Sequence, residues 1–246
     1  MKINIQILDF NKEKIASAAA SEYIDIITLG DFSCSKRDIF FTDSSILELV
    51  KSIQKKVFLQ LPLVVKEDEM QMMKRFADKI ARYFDGFITG DLGMIDYLNS
   101  TGKELVYTTN MTNKSFSHIL KRDFNNVKHV RPLMYKRTFI AEKVDFPKDV
   151  VLYGNMMINC ATFCYHSKDD LVENCALGCR KSRELLMNNE KLHLVGRSLM
   201  TENRFDIIDK MAEIGDLSIG TIMDYDLKNE ELKESIFRIK EEASKI

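Results

Sequence analysis

Short apolar runs rich in β-branched residues recur along the chain, and amphipathic stretches separate them. Runs of this kind, bounded by polar and turn-forming residues, are typical of β-strands. The pattern predicts strands over 3–8, 23–29, 57–65, 86–89, 104–109, 127–131, 150–154, 192–195 and 217–223. Between most of these runs the apolar residues follow helical spacing instead. Helices are predicted over 44–54, 67–84, 205–214 and 227–245.

Capping residues stand at the ends of two predicted helices. Asp43 precedes the helix over 44–54 and is expected to cap its N-terminus. Gly215 follows the helix over 205–214, at a position where glycine commonly ends a helix. These signals support the alternation of strands and helices that the apolar pattern indicates.

The alternation predicts an α/β fold in which a parallel sheet is covered by helices. The number of strand signals favours a TIM-barrel-like fold, complete or incomplete, within a single domain that spans residues 1–246. A doubly wound open sheet is the alternative. The glycine-rich phosphate-binding fingerprint of that alternative is missing, because the run from Gly90 to Gly93 lacks a third glycine. In both architectures we expect the chemistry at the carboxyl ends of the strands.

Composition and charge narrow the class of protein. Hydrophobic residues make up 45% of the chain and charged residues 30%, a balance that is typical of globular proteins. The formal net charge of −1 gives no indication of nucleic-acid binding, which usually requires a basic excess. The sequence has no apolar run of the roughly 18 residues that a membrane span needs. Residues 1–10 alternate like a strand and lack the features of a signal peptide, so we expect a cytoplasmic protein with reduced cysteines.

Four of the five cysteines form a cluster in the sequence, Cys160 and Cys164 followed by Cys175 and Cys179. Both pairs have C-x3-C spacing, and the fifth, Cys34, follows the second predicted strand. Because positions i and i+4 share one face of a helix, each pair can direct two thiolates at one metal ion or cluster. Thiolates select zinc or iron–sulfur clusters. Buried thiols and disulfide-bonded C-x3-C hairpins are the alternative interpretations.

Four stretches of the sequence, 23–37, 86–93, 152–164 and 168–179, carry a resemblance to a known family. They include a strand followed by Cys-Ser-Lys-Arg, a strand-end Asp-x-Gly segment, a glycine ten residues before a cysteine, and an acidic run before the last cysteine pair. In these stretches the chain resembles the collagenase-like peptidase family of unknown catalytic type. It is most similar to the UbiV-like iron–sulfur branch, which acts in oxygen-independent ubiquinone hydroxylation. After Cys179 the resemblance fades.

The resemblance implies a [4Fe–4S] cluster, with zinc as the alternative metal. It implies four cysteine ligands, Cys34, Cys164, Cys175 and Cys179, with Cys160 as a substitute for Cys164. It also implies a small-molecule substrate, a role in oxygen-independent hydroxylation or a related redox reaction, and a homologous partner subunit in a heterodimer. A non-catalytic subunit stabilised by a cluster or by zinc, and a peptidase, are the competing expectations.

Three polar residues near strand ends are weaker candidates for the active site. Asp91 is either a functional carboxylate or a turn residue. Asn110 either points into the barrel mouth or caps a helix. Arg131 either binds a carboxylate or phosphate in fork geometry or, as the sequence favours, lies on the surface. The sequence contains no Ser–His–Asp ordering, no H-E-x-x-H segment and no P-loop, so no recognised hydrolytic motif supports peptidase activity.

Overall fold

The fold is built from thirteen strands and six α-helices in the part of the chain that the computed structural model describes. That part comprises residues 1–8, 10–30, 44–109, 114–132, 144, 146–155, 157–160, 183–187, 190–195, 198–201, 204–224 and 227–246. The strands are β1 Lys2–Ile7, β2 Ile26–Leu29, β3 Lys56–Gln60, β4 Gly86–Thr89, β5 Glu104–Thr109, β6 Val127–Pro132, β7 Lys148–Gly154, β8 Met157–Cys160, β9 Arg183–Met187, β10 Glu190–Val195, β11 Ser198–Thr201, β12 Phe205–Asp206 and β13 Leu217–Asp224. The α-helices are α1 Lys12–Ala20, α2 Ser44–Ser52, α3 Glu67–Ile80, α4 Leu92–Asn99, α5 Lys114–Asp123 and α6 Asn229–Ala243.

Eight parallel strands close into a barrel. Strands β1 to β7 pair with their neighbours in chain order, and β13 lies between β7 and β1. The register at the last joint pairs Lys2 of β1 with Ile219 of β13. The pairing of Val130 on β6 with Lys148 on β7 completes the circuit. The TIM-barrel-like fold predicted from the sequence is therefore confirmed, and the open doubly wound sheet is excluded.

The helices pack against the outside of the barrel through one large apolar core. Every second residue of each strand faces outward, as Ile5 of β1 and Leu59 of β3 do, because side chains alternate along a strand. They meet apolar residues of the helices, such as Ile15 of α1 and Met73 of α3. Each fully buried side chain of this size contributes about 1.5–3 kcal/mol relative to an exposed one.

The interior of the barrel has its own, smaller apolar layer. It consists of five buried residues on five strands: Ile26, Phe58, Ile88, Val106 and Ile219. They form a cluster separate from the outer core, as expected for side chains on the opposite face of each strand. The polar residues described below lie against this apolar layer, inside the barrel.

A second, antiparallel sheet follows β7 in the chain. Its strands lie in the order β8, β11, β10, β9. The strand predicted over 192–195 forms part of β10 and so belongs to this sheet, not to the barrel. The chain returns to the barrel through β12, which pairs with β7 in the antiparallel sense.

The helix predicted over 205–214 is wrong. The chain forms β12 and then a 3₁₀ helix, Ile208–Glu213. Ile208, Met211 and Ile214 are buried at a spacing of three, which suits the three residues per turn of a 3₁₀ helix. Gly215 does not provide the expected left-handed cap, because the positive φ of 57° falls on Asp216 instead. Asp43, the other predicted cap, lies outside the described residues. None of the helices in the described part of the chain is long and apolar enough to cross a membrane.

Candidate functional site

A layer of polar side chains covers the apolar layer inside the barrel. Four of its residues, Thr28, Gln60, Thr108 and Thr221, each follow a residue of the apolar layer by two positions. Because residues two apart face the same side of a strand, these side chains also point inward. They lie closer to the carboxyl ends of the strands, the end at which TIM-barrel active sites are built. We call this set, together with Asn4, Gln6, Arg131 and Asp149, the polar layer.

Arg131 is the centre of the polar layer. Its side chain is only 1% exposed. Nη1 donates to Oε1 of Gln6 at 2.7 Å, and Nη2 donates to Oδ2 of Asp149 at 2.5 Å. Because β6 and β1 are not neighbours, the bond to Gln6 crosses the barrel interior. The expectation that Arg131 is a surface residue is therefore wrong, since its inward position on β6 directs the guanidinium into the barrel.

The hydrogen bonds continue from Asp149 across β13, β1 and β2. Thr221 donates its hydroxyl to Oδ1 of Asp149 at 2.5 Å. Asn4 donates from Nδ2 to the Thr221 hydroxyl at 2.9 Å and accepts from the Thr28 hydroxyl at 3.0 Å. Both carboxylate oxygens of Asp149 are thus engaged. The ion pair is anchored on one side of the barrel by a connected network.

The other side of the polar layer is less complete. Within the described part of the chain, four buried side-chain atoms have no hydrogen-bond partner. Three belong to the polar layer, Oε1 of Gln60, Oγ1 of Thr108 and Nε of Arg131, and the fourth is Nδ1 of His129 on β6. Gln60 donates from Nε2 to the carbonyl oxygens of Leu61 and Ile88, at 2.7 and 3.1 Å. Because two carbonyl acceptors fix the orientation of the amide group, Oε1 of Gln60 is the atom that has no partner. The polar layer therefore combines an anchored ion pair with unpartnered polar atoms on β3, β5 and β6.

Asp91 holds local backbone structure together. Its Oδ1 accepts from the backbone N–H of Met94 at 3.0 Å and caps α4. Its Oδ2 accepts from the backbone N–H of Val65 at 2.9 Å. Both carboxylate oxygens thus have backbone partners, which agrees with the interpretation of Asp91 as a turn residue.

His129 lies two residues before Arg131 on β6. Burial holds the pKa of His129 below its ordinary value, and the positive charges of Lys2 and Lys56 act in the same direction. Asp149 and Glu104 oppose this shift, and Glu104 Oε1 is 3.6 Å from His129 Nδ1. Histidine at this site is thus held towards its neutral form.

Most of the predicted metal ligands lie outside the described residues. They are Cys34, Cys164, Cys175 and Cys179, and the candidate Asn110 lies outside as well. The backbone of Cys160 is described and forms the last residue of β8, opposite Ser198. Among the described residues, no group of three or more His, Cys, Asp or Glu side chains is arranged to hold a metal ion.

The described strands fix where the cysteine-containing segment 161–182 joins the fold. Its first neighbour, Cys160, pairs with Ser198 at the end of β8. Its last neighbour, Arg183, pairs with Leu194, and Val195 pairs with Ser198. Both ends of the segment therefore join the same end of the antiparallel sheet.

The sequence identified Arg131 but missed its partners. Gln6 was taken only as part of an apolar strand, and Asp149 lies one residue before the strand predicted over 150–154. A usable signal exists in β1, where Asn4 and Gln6 alternate with three isoleucines. Fully buried polar residues with this alternation indicate a strand whose inner face is polar. Asp149 carries no such signal, since only the closure of the barrel brings it to Arg131.

Comparisons with known proteins give a family but no close relative. No curated protein matches the chain. Among solved structures, the chain is similar to ICChI, a chitinase from Ipomoea carnea, with 12% identity and a TM-score of 0.43 over 100% of this chain and 98% of the other. The model of Peptidase family U32 matches residues 11–222. That match takes in all of the barrel except β1 and the last residues of β13, and on this basis the chain belongs to peptidase family U32.

Proposed function

We propose that the chain is an iron–sulfur protein that takes part in an oxygen-independent hydroxylation or a related redox reaction, as half of a heterodimer. The cluster would be a [4Fe–4S] cluster with four thiolate ligands, Cys34, Cys164, Cys175 and Cys179. This proposal is finer than the family assignment and rests on the cysteine pattern and on the way the described strands support it.

The observation that carries the proposal is the common attachment of the cysteine segment. Residues 161–182 contain three of the four ligands, and both ends of this segment join one end of the antiparallel sheet. The sheet itself begins with β8, three residues after β7 ends at Gly154 at the carboxyl end of the barrel. This arrangement supports a metal centre near the barrel mouth.

The position of β2 is compatible with Cys34 as the fourth ligand. The described chain reaches Gly30 just beyond the carboxyl end of β2, four residues before Cys34. Four residues span at most about 14 Å. Strands β2 and β7 are three strand spacings apart around the barrel, which is also about 14 Å. One cluster between the carboxyl ends of β2 and β7 is therefore within reach of ligands that follow both strands.

The donor set fits the group. Four thiolates are the usual ligands of a [4Fe–4S] cluster, and such a cluster supplies or accepts one electron at a time. Four protein ligands leave the irons without an open position, so this cluster would transfer electrons beside the substrate rather than bind it.

The test is anaerobic purification followed by an absorption spectrum and by iron and sulfide analysis. We expect a brown protein with a broad band near about 400 nm, which is lost in C34A, C164A, C175A and C179A and kept in the matched control C160A. Loss of the band in C160A with retention in C164A would exchange these two ligands. Stoichiometric zinc in a colourless protein would replace the redox proposal by a structural zinc site. A colourless protein without metal would refute both.

The description of the family favours a second candidate, peptide hydrolysis. A metal-independent peptidase should cleave a denatured collagen substrate equally well as wild type and as C164A. Cleavage that survives in C164A would support this second candidate. The redox proposal predicts no cleavage by either protein.

A further inference from the structure

We propose that the polar layer is a binding site for a small uncharged molecule that presents one hydrogen-bond donor beside one acceptor, such as a primary amide. Gln60, Thr108 and Arg131 would bind it. This inference goes beyond the iron–sulfur proposal and does not depend on the cluster. It rests on the placement, the unpartnered atoms and the charge balance of these three residues.

The three residues are brought together by the barrel. Thr108 of β5 and Arg131 of β6 are directly paired in the register, so their side chains lie side by side on the inner face. Gln60 of β3 is two strands away. Between them β4 ends at Thr89, and at the next residue, Gly90, an added Cβ would meet the carbonyl oxygen of Thr108 at 2.5 Å. At that position β4 therefore places no side chain between Gln60 and Thr108.

Unpartnered buried polar atoms are rare because each one raises the free energy of the folded state. Of the four such atoms in the described part of the chain, three lie in the polar layer on β3, β5 and β6, and the fourth, Nδ1 of His129, lies beside the apolar layer, where His129 pairs with Val106. The polar groups on β13, β1 and β2 are instead connected to one another. Each such atom in a native structure calls for an explanation, and a bound ligand that supplies the missing hydrogen bond is one. The asymmetry of the layer therefore indicates which side receives the ligand.

The charge balance selects an uncharged ligand. The guanidinium of Arg131 is already opposed by the carboxylate of Asp149 at 2.5 Å, so the layer has no excess positive charge to attract an anion. Arg131 Nε can only donate, Gln60 Oε1 can only accept, and the Thr108 hydroxyl can do either. A primary amide matches this set, since its carbonyl accepts while its NH₂ group donates.

The stability of two matched variants tests whether Thr108 is unpartnered. T108V removes the hydroxyl without changing the shape of the side chain, and T28V does the same to a hydroxyl that donates to Asn4. We expect Tm to rise by about 2–4 °C in T108V and to fall by a similar amount in T28V. A fall in T108V as large as that in T28V would overturn the proposal, because the hydroxyl would then be satisfied in the resting protein.

Binding is tested with acetamide and acetate, which have the same size and differ in charge. Protein with ¹⁵N-labelled arginine is titrated over a millimolar range, and the Nε–H signal of Arg131 is assigned with R131K. We expect acetamide to shift this signal in wild type, with affinity reduced about fivefold in T108V and in Q60M. The control S52A, at an exposed helix end, should behave as wild type.

Each other result overturns the proposal. Stronger binding of acetate would refute the uncharged class, no binding of either probe would refute the site, and unchanged binding in T108V and Q60M would place it elsewhere. The same titration of C164A should equal that of wild type. Failure of the iron–sulfur proposal and failure of this one can therefore be told apart.

Discussion

The buried ion pair of Arg131 and Asp149 is held in place on one side and still has a free hydrogen-bond donor on the other. Two opposite charges removed from water are stable together only when their remaining hydrogen-bonding groups are satisfied. Gln6 and Thr221 provide this on one side of the pair. On the other side Nε of Arg131 remains available. The pair is thus fixed in position and still able to donate to a ligand.

We expect R131M to lower the free energy of unfolding by about 3–5 kcal/mol, because it leaves the carboxylate of Asp149 buried without its counter-charge. Urea denaturation measures the change. The double variant R131M/D149L should recover part of the loss, since it removes both charges. The control R122M, at an exposed residue that pairs with Asp123, should change stability by less than about 1 kcal/mol. Equal stability of R131M and wild type would contradict the role given to the pair.

His129 makes stability depend on pH. Because burial lowers its pKa in the folded state, the unfolded chain binds a proton here before the folded chain does as the pH falls. The free energy of unfolding should therefore decrease as the pH is lowered through the ordinary histidine pKa of about 6.5. Well above this pH His129 is neutral in both the folded and the unfolded state, and it then causes no pH dependence. Urea denaturation at pH 7 and at about pH 5 should show that the free energy of unfolding decreases less in H129Q than in wild type. H118Q, at an exposed position on α5, is the control, and equal slopes in H129Q and wild type would refute this assignment.

At this scale the sequence was informative about residue types and uninformative about distant partners. Arg131 was a candidate because it ends a strand before a proline. Its partner Gln6 is 125 residues away in sequence, and no local pattern encodes that distance. For Asp91 the sequence also offered the interpretation as a turn residue, because capping depends on neighbours within three residues, and the contact with Met94 agrees with it. The four predicted cluster ligands remain predictions.

At the scale of elements, apolar patterning predicted the barrel strands well. All eight are present, because strands buried on both faces are almost continuously apolar. Six lie within two residues of the predicted bounds, whereas the strand predicted over 23–29 begins at Ile26 and the strand predicted over 57–65 ends at Gln60. The antiparallel sheet was mostly missed. Its strands are short, and β9 exposes Leu185 and Leu186, at 43% and 72%, so its pattern is not that of a half-buried strand. The helix predicted over 205–214 failed because a spacing of three was taken for helical spacing.

Gly154 marks the end of β7, where the chain leaves the barrel for the second sheet. Its φ is +118°, and an added Cβ would collide with the carbonyl oxygen of Met223. G154A should therefore lower the free energy of unfolding by about 2–6 kcal/mol, from backbone strain and from overpacking together. Gly102 is a matched control, because its φ is +72° but an added Cβ there has no atom within 4 Å. G102A should lower the free energy of unfolding by only about 1 kcal/mol. Equal losses of this free energy in G154A and G102A would contradict the steric argument.

At the scale of the whole molecule, the barrel has a core of its own. The outer apolar core includes buried residues from all eight barrel strands and from helices α1 to α6. In the sequence, the expected cluster ligand Cys34 lies between β2 and α2, and Cys164, Cys175 and Cys179 lie between β8 and β9. In the proposed function the cluster would therefore be held by segments attached to the barrel and not by its strands, as is common when a functional site is built on the loops of a barrel.

This separation predicts that the protein folds without the cluster. The variant C34A/C164A/C175A/C179A should keep the far-UV circular dichroism of wild type and unfold in urea in one cooperative transition. Its m value should be close to that of wild type, because m follows the surface exposed on unfolding and most of that surface belongs to the apolar core. C160A serves as the matched control for cysteine removal. An unfolded quadruple variant, or one with a clearly smaller m value, would contradict the prediction and favour a subunit in which the metal is structural, since binding free energy would then be folding free energy.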